Sequence, residues 1–422
     1  MSADGARRTE ILETAARLFA SSGLRTSLKQ IADACGILPG SLYHHFESKE
    51  AIVVELIERY RADLDEIAKR ALDDLPGPEP AADKVTALCV AVAACGARHR
   101  AAVLQSPYEP PSGAGDELVR VARLTPTALE GAMRETLRAG RDAGEIRPGI
   151  DLDALAERLC ETMLYISLGD FHGVRGADQL PAVRCRIMLD GVAADPPSAA
   201  RLDRSAAFRA AEDAIAGWDA PGAEEDERVT RLRAVARAEF GRRGYEATTI
   251  RDIAAAAGVS TGSVYRTIGS KDELLASIMG TFPAAVRDGW RRVLAADATS
   301  VEKLDALMWV NVNVVLRFSD EYNIQLAWLR ESPPSTADLG QNFPALMGDL
   351  KALLARGTRA GELHIDGPSA DIRAWSLFDP LWMHEGGVRR GGPRAALTLG
   401  RETVLRGAAV SRPSARRRPP GG

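Results

Sequence analysis

The chain carries one stretch of sequence twice. Residues 9–57 read TEILETAARLFASSGLRTSLKQIADACGILPGSLYHHFESKEAIVVELI, and residues 230–279 read TRLRAVARAEFGRRGYEATTIRDIAAAAGVSTGSVYRTIGSKDELLASIM. Phe19 answers Phe240 and Gly23 answers Gly244. The second copy then gains one residue, after which Ile31, Gly36, Gly40, Tyr43 and Lys49 answer Ile253, Gly258, Gly262, Tyr265 and Lys271. A weaker echo lies deeper in each half, where LRAGRDAGEIRP at 137–148 resembles LARGTRAGELHI at 354–365. The repeat spans a domain of roughly 200 residues, too long for a solenoid unit, so the chain is a duplicated globular fold.

Each copy has the period of helices. Ile11, Leu12, Ala15, Leu18 and Phe19 fall on one face at 3.6 residues per turn. Gly23 stops that helix. Ser27 caps the next, Leu28–Cys35, which Gly36 ends. A short helix, Leu42–Phe46, follows Gly40-Ser41, and Ser48 starts a long one that the PGPEP run at 76–80 closes. The expected fold is all-α, with two tandem units. Each has an N-terminal three-helix headpiece, residues 1–50 and 224–272, and a helical regulatory domain, residues 51–195 and 273–410. Residues 196–223 read as a linker with a short connecting helix at Ala206–Gly217, and 411–422 as a disordered Arg/Pro tail.

Composition excludes several classes. Hydrophobic residues make up 45% and charged residues 27%, as in a soluble globular protein. The formal net charge is −4, so any nucleic-acid contact must come from a local patch. The five cysteines form no C-x-x-C pair and are odd in number, which suits a reducing cytoplasm and predicts neither disulfides nor a metal site. The N-terminal MSADGARRTE lacks an apolar signal core, and no long apolar run predicts a membrane span. HExxH, P-loop and GxGxxG patterns are absent, so no catalytic residue, cofactor or enzyme activity is expected.

A short helix, a glycine-centred turn and a second short helix make the helix-turn-helix, whose second helix enters the major groove. Ala32 and Ala254 are small where two helices cross. Gly36 and Gly258 permit the left-handed turn, and Ile37 and Val259 plug the core beneath it. Gly40-Ser41 and Gly262-Ser263 leave the N-terminus of the reading helix open to phosphates.

The strings IADACGILPGSLYHHFESKE and IAAAAGVSTGSVYRTIGSKDEL resemble the DNA-binding signature of the TetR family of bacterial regulators. Two copies in one chain resemble the tandem TetR-like repressors of mycobacteria and related actinobacteria, which control lipid and sterol genes. The resemblance implies that Ser27 and Thr249 cap the second helix and touch phosphate. It implies base reading at Pro39, Gly40, Ser41 and His44, and at Thr261, Gly262, Ser263 and Arg266. Tyr43, Tyr265, Lys49 and Lys271 are the implied phosphate contacts, and Lys29, His45 and Arg251 complete the DNA-facing set. Copy 2 departs from the family pattern, because His45-Phe46 is replaced there by Thr267-Ile268. Arg266 offsets the lost imidazole, since arginine can grip guanine bidentately for roughly 1–3 kcal/mol of discrimination.

Unlike headpieces in one chain predict a pseudo-dimer on an asymmetric stretch of double-stranded DNA. Pairing of like copies in a homodimer, with two chains per operator, is the alternative. All six tryptophans lie in the second half. Trp309, Asn313, Phe318, Trp328, Trp375, Phe378 and Trp382 are the expected walls of a pocket for an apolar effector, with Asn311 as a further polar group. The whole is read as a cytoplasmic, nucleoid-associated repressor of lipid or sterol genes. The alternative is a helical scaffold or antirepressor that has lost DNA reading in one or both headpieces.

Overall fold

The structure, a computed structural model, describes all residues except 1–2, 23–25, 106–113, 123, 167–173, 219–225, 246–247, 329–341, 384 and 411–422. The expected stop at Gly23 and the Arg/Pro tail lie outside the described residues, as does the side chain of Trp328. The described residues are helical, with no strand beyond two isolated bridges.

The first half runs α1 (Ala3–Ser22), α2 (Leu28–Ala34), α3 (Pro39–Tyr43), α4 (Lys49–Asp73), α5 (Ala81–Arg98), α6 (Arg100–Gln105), α7 (Asp116–Ala122), α8 (Thr127–Asp142), α9 (Leu152–Ile166) and α10 (Leu180–Asp190). Two helices follow, α11 (Ala199–Leu202) and α12 (Ala206–Gly217). The second half runs α13 (Glu227–Arg243), α14 (Ile250–Ala257), α15 (Thr261–Ile268), α16 (Lys271–Met279), α17 (Thr281–Ala295), α18 (Ser300–Arg317), α19 (Ser319–Trp328), α20 (Asn342–Arg359), α21 (Ala370–Phe378) and α22 (Glu385–Gly400). A turn of π-helix, Arg401–Leu405, ends it.

Each half folds around its own apolar cluster. In α4 the stripe Ile52, Val53, Leu56, Ile57, Tyr60, Leu64 and Ile67 is buried, so one helix belongs to both headpiece and regulatory core. Helix α12, in the stretch read as a linker, packs on α17 and α18. Its buried face is Ala207, Phe208, Ala211 and Ala214, and Phe208 stacks on Trp309 at 5.7 Å. It is part of the second core rather than a free tether.

The deeper echo has a structural reason in both copies. The Glu145 carboxylate accepts the Ala81 N–H at 2.6 Å and caps α5. The Glu362 carboxylate accepts the Ser300 N–H at 2.7 Å and caps α18. These acids satisfy helix N-termini and favour the positive end of the dipole.

The halves then exchange their ends. After α10 the chain crosses to copy 2. Val192 N–H donates to the Val404 carbonyl (2.8 Å), Ala193 N–H to Leu405 (3.0 Å) and Ala194 N–H to Glu362 (3.0 Å). The Val192 carbonyl accepts from His364 N–H (2.8 Å). The end of copy 2 crosses back in the same register. Ala408 N–H donates to Met188 (3.0 Å), Ala409 N–H to Leu189 (2.7 Å) and Val410 N–H to Glu145 (2.7 Å). The Ala408 carbonyl accepts from Arg147 N–H (3.0 Å). The two sets correspond bond for bond, so an approximate two-fold axis relates them. Gly191 (φ +75) and Gly407 (φ +80) meet where the tails cross. A Cβ on Gly191 would lie 2.5 Å from the Gly407 nitrogen, and one on Gly407 would lie 2.3 Å from the Asp190 carbonyl carbon. Glycine is required at both, by backbone conformation and by space.

Candidate nucleic-acid interface

In headpiece 1, α1 buries Ile11, Leu12, Ala15 and Phe19. Ser27 caps α2 reciprocally: its hydroxyl accepts the Gln30 N–H at 3.2 Å, and the Gln30 side chain accepts the Ser27 N–H at 2.8 Å. Gly36 turns the chain at φ +66, and Ile37 N–H closes the turn on the Ala32 carbonyl at 3.0 Å. Leu42 and Phe46 anchor α3 in the core. Headpiece 2 repeats the plan. Thr249 and Asp252 form the same reciprocal cap, Gly258 turns at φ +68, and Val264 anchors α15.

The reading surfaces follow from these anchors. Gly40, Ser41 and His44 are exposed, Pro39 and His45 are half-buried, and Tyr43 is 56% exposed. Thr261, Gly262 and Arg266 are exposed, and Tyr265 is also 56% exposed. A tyrosine that open is not a core residue in either copy. Ser27, Lys29, Thr249 and Arg251 are exposed at the start of their helices, and Lys49 and Lys271 are half-buried. Lys29 pairs with Asp33 at 2.9 Å, and Lys271 lies 4.1 Å over the Tyr245 ring.

A sequence profile described as bacterial regulatory proteins, tetR family, matches residues 11–56 and again 232–278. The HTH-type transcriptional repressor KstR2 of Rhodococcus jostii (strain RHA1) is 33% identical over 194 residues, covering 44% of this chain and 91% of the relative. The chain belongs to the TetR family. The repressor of the same name from Mycolicibacterium smegmatis is 32% identical over 198 residues, covering 44% of this chain and 90% of the relative. A solved structure, that of the ketosteroid transcriptional regulator KstR2 of Mycobacterium tuberculosis, aligns with a TM-score of 0.35 at 24% identity, covering 42% of this chain and 92% of that one. Each relative corresponds to less than half of this chain. The protein is thus a tandem TetR-family regulator, not an enzyme. Among the described residues no helix is long and apolar enough to cross a membrane.

One expected contact is placed differently. Ser263 of the second TetR headpiece is only 5% exposed. The guanidinium of Arg228, on the first turn of α13, donates to its hydroxyl and covers it. No local signal marks this, because the covering residue is 35 positions away. A brace in the first TetR headpiece was equally hidden. Arg8 donates to the His45 carbonyl, pairs with Glu55 and lies 4.0 Å over the Phe46 ring. It ties the end of α3 to α1 and α4.

The aromatic residues of the second regulatory domain divide into three groups. Phe343 contacts Trp375 (5.0 Å) and Phe378 (4.9 Å). Phe378 reaches Trp382 (6.2 Å), and Trp382 stacks on Tyr322 (5.7 Å). Trp309 lies apart against Phe208, with Arg394 4.4 Å over it. Phe318 packs on Trp218 and Phe282. Asn313 donates to the Trp309 carbonyl within its own helix at 2.8 Å. Asn311 is buried, accepting from the Trp290 indole (2.9 Å) and donating to Leu381 (3.0 Å). The expected pocket set is therefore not one wall: Trp375, Phe378 and Trp382 come together, whereas Trp309, Asn313 and Phe318 do not join them. Among the described residues the buried Trp382 indole N–H and Ser376 hydroxyl find no hydrogen-bond partner.

Helix α19 connects that aromatic group to the reading unit. Tyr322 faces Trp382, while its neighbour Glu321 is buried and pairs with Arg237 of α13 at 2.7 Å. Burial raises the Glu321 carboxyl above its ordinary range, and Arg237 pulls it back. Elsewhere, Asp63, Cys95 and His99 converge between α4 and α5. There Asp63 is bonded to His99 (2.8 Å) and pairs with the Arg98 guanidinium (3.4 Å).

Proposed function

We propose that this chain represses transcription as a single-chain counterpart of a dimer, presenting two unlike reading helices to one asymmetric operator and leaving it when an apolar small molecule binds. The observation that carries the reading is how copy 1 and copy 2 join. Helix α10 packs on α21, and α9 on α22. Two buried arginines of copy 1 key the contact. Arg184 donates to the Trp375 carbonyl (3.3 Å) and pairs with Asp379 (3.2 Å), and Arg158 donates to the Pro380 carbonyl. Burial pushes the Arg158 guanidinium down to about 10, so it stays charged at neutral pH.

The register of the crossing makes Gly400 the counterpart of Arg184. A Cβ on Gly400 would lie 3.9 Å from Arg158 Nη1. Pairing copy 1 with another copy 1 would bring Arg184 into that space, one buried cation against another. Pairing copy 2 with itself would leave Asp379 and two carbonyls without their donors. Unpaired buried charge costs several kcal/mol, of order 3–5 when one partner is removed. The unlike pair is favoured, and its half-sites are unlike because the reading helices are. Their spacing should be near one helical turn of DNA, about 34–36 Å, or a multiple.

The effector is placed at the Phe343, Trp375, Phe378 and Trp382 group, where an apolar body could pack and an acceptor could meet the free Trp382 N–H. Displacing Trp382 would move Tyr322, α19 and, through Glu321–Arg237, headpiece 2. Release is then a shift toward a state whose headpiece spacing misfits the operator, limited by the effector's differential affinity. Resemblance to the tandem repressors supports lipid or sterol metabolism as the regulated process and the cytoplasm as the location.

Binding sites selected from random duplex DNA at fixed salt, followed by the mass of the complex, test the reading. An asymmetric site carrying one chain is expected. A palindrome carrying two chains would overturn the single-chain reading.

A further inference from the structure

Leu38, the residue before α3, is 75% exposed, the most open of the large apolar side chains described. It belongs to neither apolar cluster. Its backbone is fixed, because Ser41 N–H donates to its carbonyl at 2.9 Å to begin the helix. Its side chain cannot cap that helix, and none does. The same position in copy 2 is Ser260, whose hydroxyl accepts the Ser263 N–H at 3.2 Å. Copy 1 therefore gives up a helix cap and holds an apolar group in solvent, at the end of the reading helix that approaches base edges.

In the major groove the apolar feature of a base edge is the C5-methyl of thymine. We propose that Leu38 is a specificity residue that packs on a thymine methyl in the half-site of headpiece 1. Cytosine there would lack the methyl and press an amino group against the leucine, leaving it short of an acceptor. Ser260 makes no such distinction, so the preference belongs to one half of the operator. The inference rests on the DNA-reading function proposed above.

The test uses the full chain and its Leu38→Ser variant at fixed salt. Sites are selected with both proteins. Each thymine of the wild-type site is then replaced singly by deoxyuridine, which removes only the methyl group. One thymine, in one half-site, should respond in wild type by about three- to fivefold weaker binding, the worth of one buried methyl, and not respond in the variant. Thymines of the other half-site should respond equally in both proteins and show that the variant is folded. A scan in which no thymine separates the proteins overturns the role of Leu38 and leaves DNA reading standing. Failure of wild type to select any site overturns DNA reading itself and this inference with it.

Discussion

Headpiece 1 holds its reading helix from behind, through Arg8 on the His45 carbonyl, Glu55 and the Phe46 ring. Headpiece 2 has Val229 at the position of Arg8. It places Arg228 on the front instead, over Ser263, and caps α15 with Ser260. Copy 1 keeps an apolar tip at Leu38, while copy 2 presents Arg266 and a self-satisfied serine. Behind these differences the reciprocal caps of α2 and α14, the left-handed turn glycines and the hydrogen bonds of the crossing tails occupy matching positions. The shared backbone plan fixes where the two readers stand, and the tips decide what each reads.

The strongest way to break this comparison is at the crossing. Gly191→Val and Gly407→Val should each cost more than about 3 kcal/mol, because each combines a disfavoured φ with overlap of backbone atoms at 2.3–2.5 Å. Gly36→Ala, at φ +66 with nothing within 4 Å, should cost about 1–2 kcal/mol. Thermal unfolding separates the two classes. A silent Gly407→Val beside a damaging Gly191→Val would mean that the tails are not equivalent.

The next largest effect lies at the join itself. Arg184→Met should cost about 2–3 kcal/mol, since it removes the donor from Asp379 and from two buried carbonyls. Operator affinity should fall for both half-sites together, although neither headpiece is touched. Loss at one half-site only would show that the arginine serves its own copy and not the pairing.

Much of the duplicated plan was legible because its signals are local. The α1 stripe, the Ser27 and Thr249 caps and the turn glycines each act within a few residues, and the structure uses them as read. The crossing tails were not legible. Their partners are distant in sequence, and GVAAD and GAAV are short, alanine-rich runs without an alternating pattern. Helix α12 read as a connector because Pro196-Pro197 and Ala220–Gly222 flank it; only the second core shows why Phe208 is apolar. Leu38 was passed over for the opposite reason. A leucine beside Ile37 looks like core in a sequence, and exposure is a property of the fold.

The finest contrast concerns how each headpiece is tied to its regulatory domain. Headpiece 1 meets α6 through α1, while α13 of headpiece 2 is joined to α19 by the half-buried Arg237 on the buried Glu321. Burial raises the Glu321 carboxyl above its value in an unfolded chain, so the folded protein binds that proton more readily. Stability from this group therefore rises as pH falls through the raised value, and the charged pair adds little at neutrality. Glu321→Gln should leave the melting temperature at pH 7 unchanged or slightly higher, and lose that relative advantage as the buffer is acidified. The same variant should loosen the strut and weaken binding to the half-site of headpiece 2 alone, by a few-fold, about 1 kcal/mol of coupling. Equal weakening at both half-sites would place the pair in the common scaffold, and a large drop in melting temperature at pH 7 would make it a stabilising ion pair instead of an orienting one.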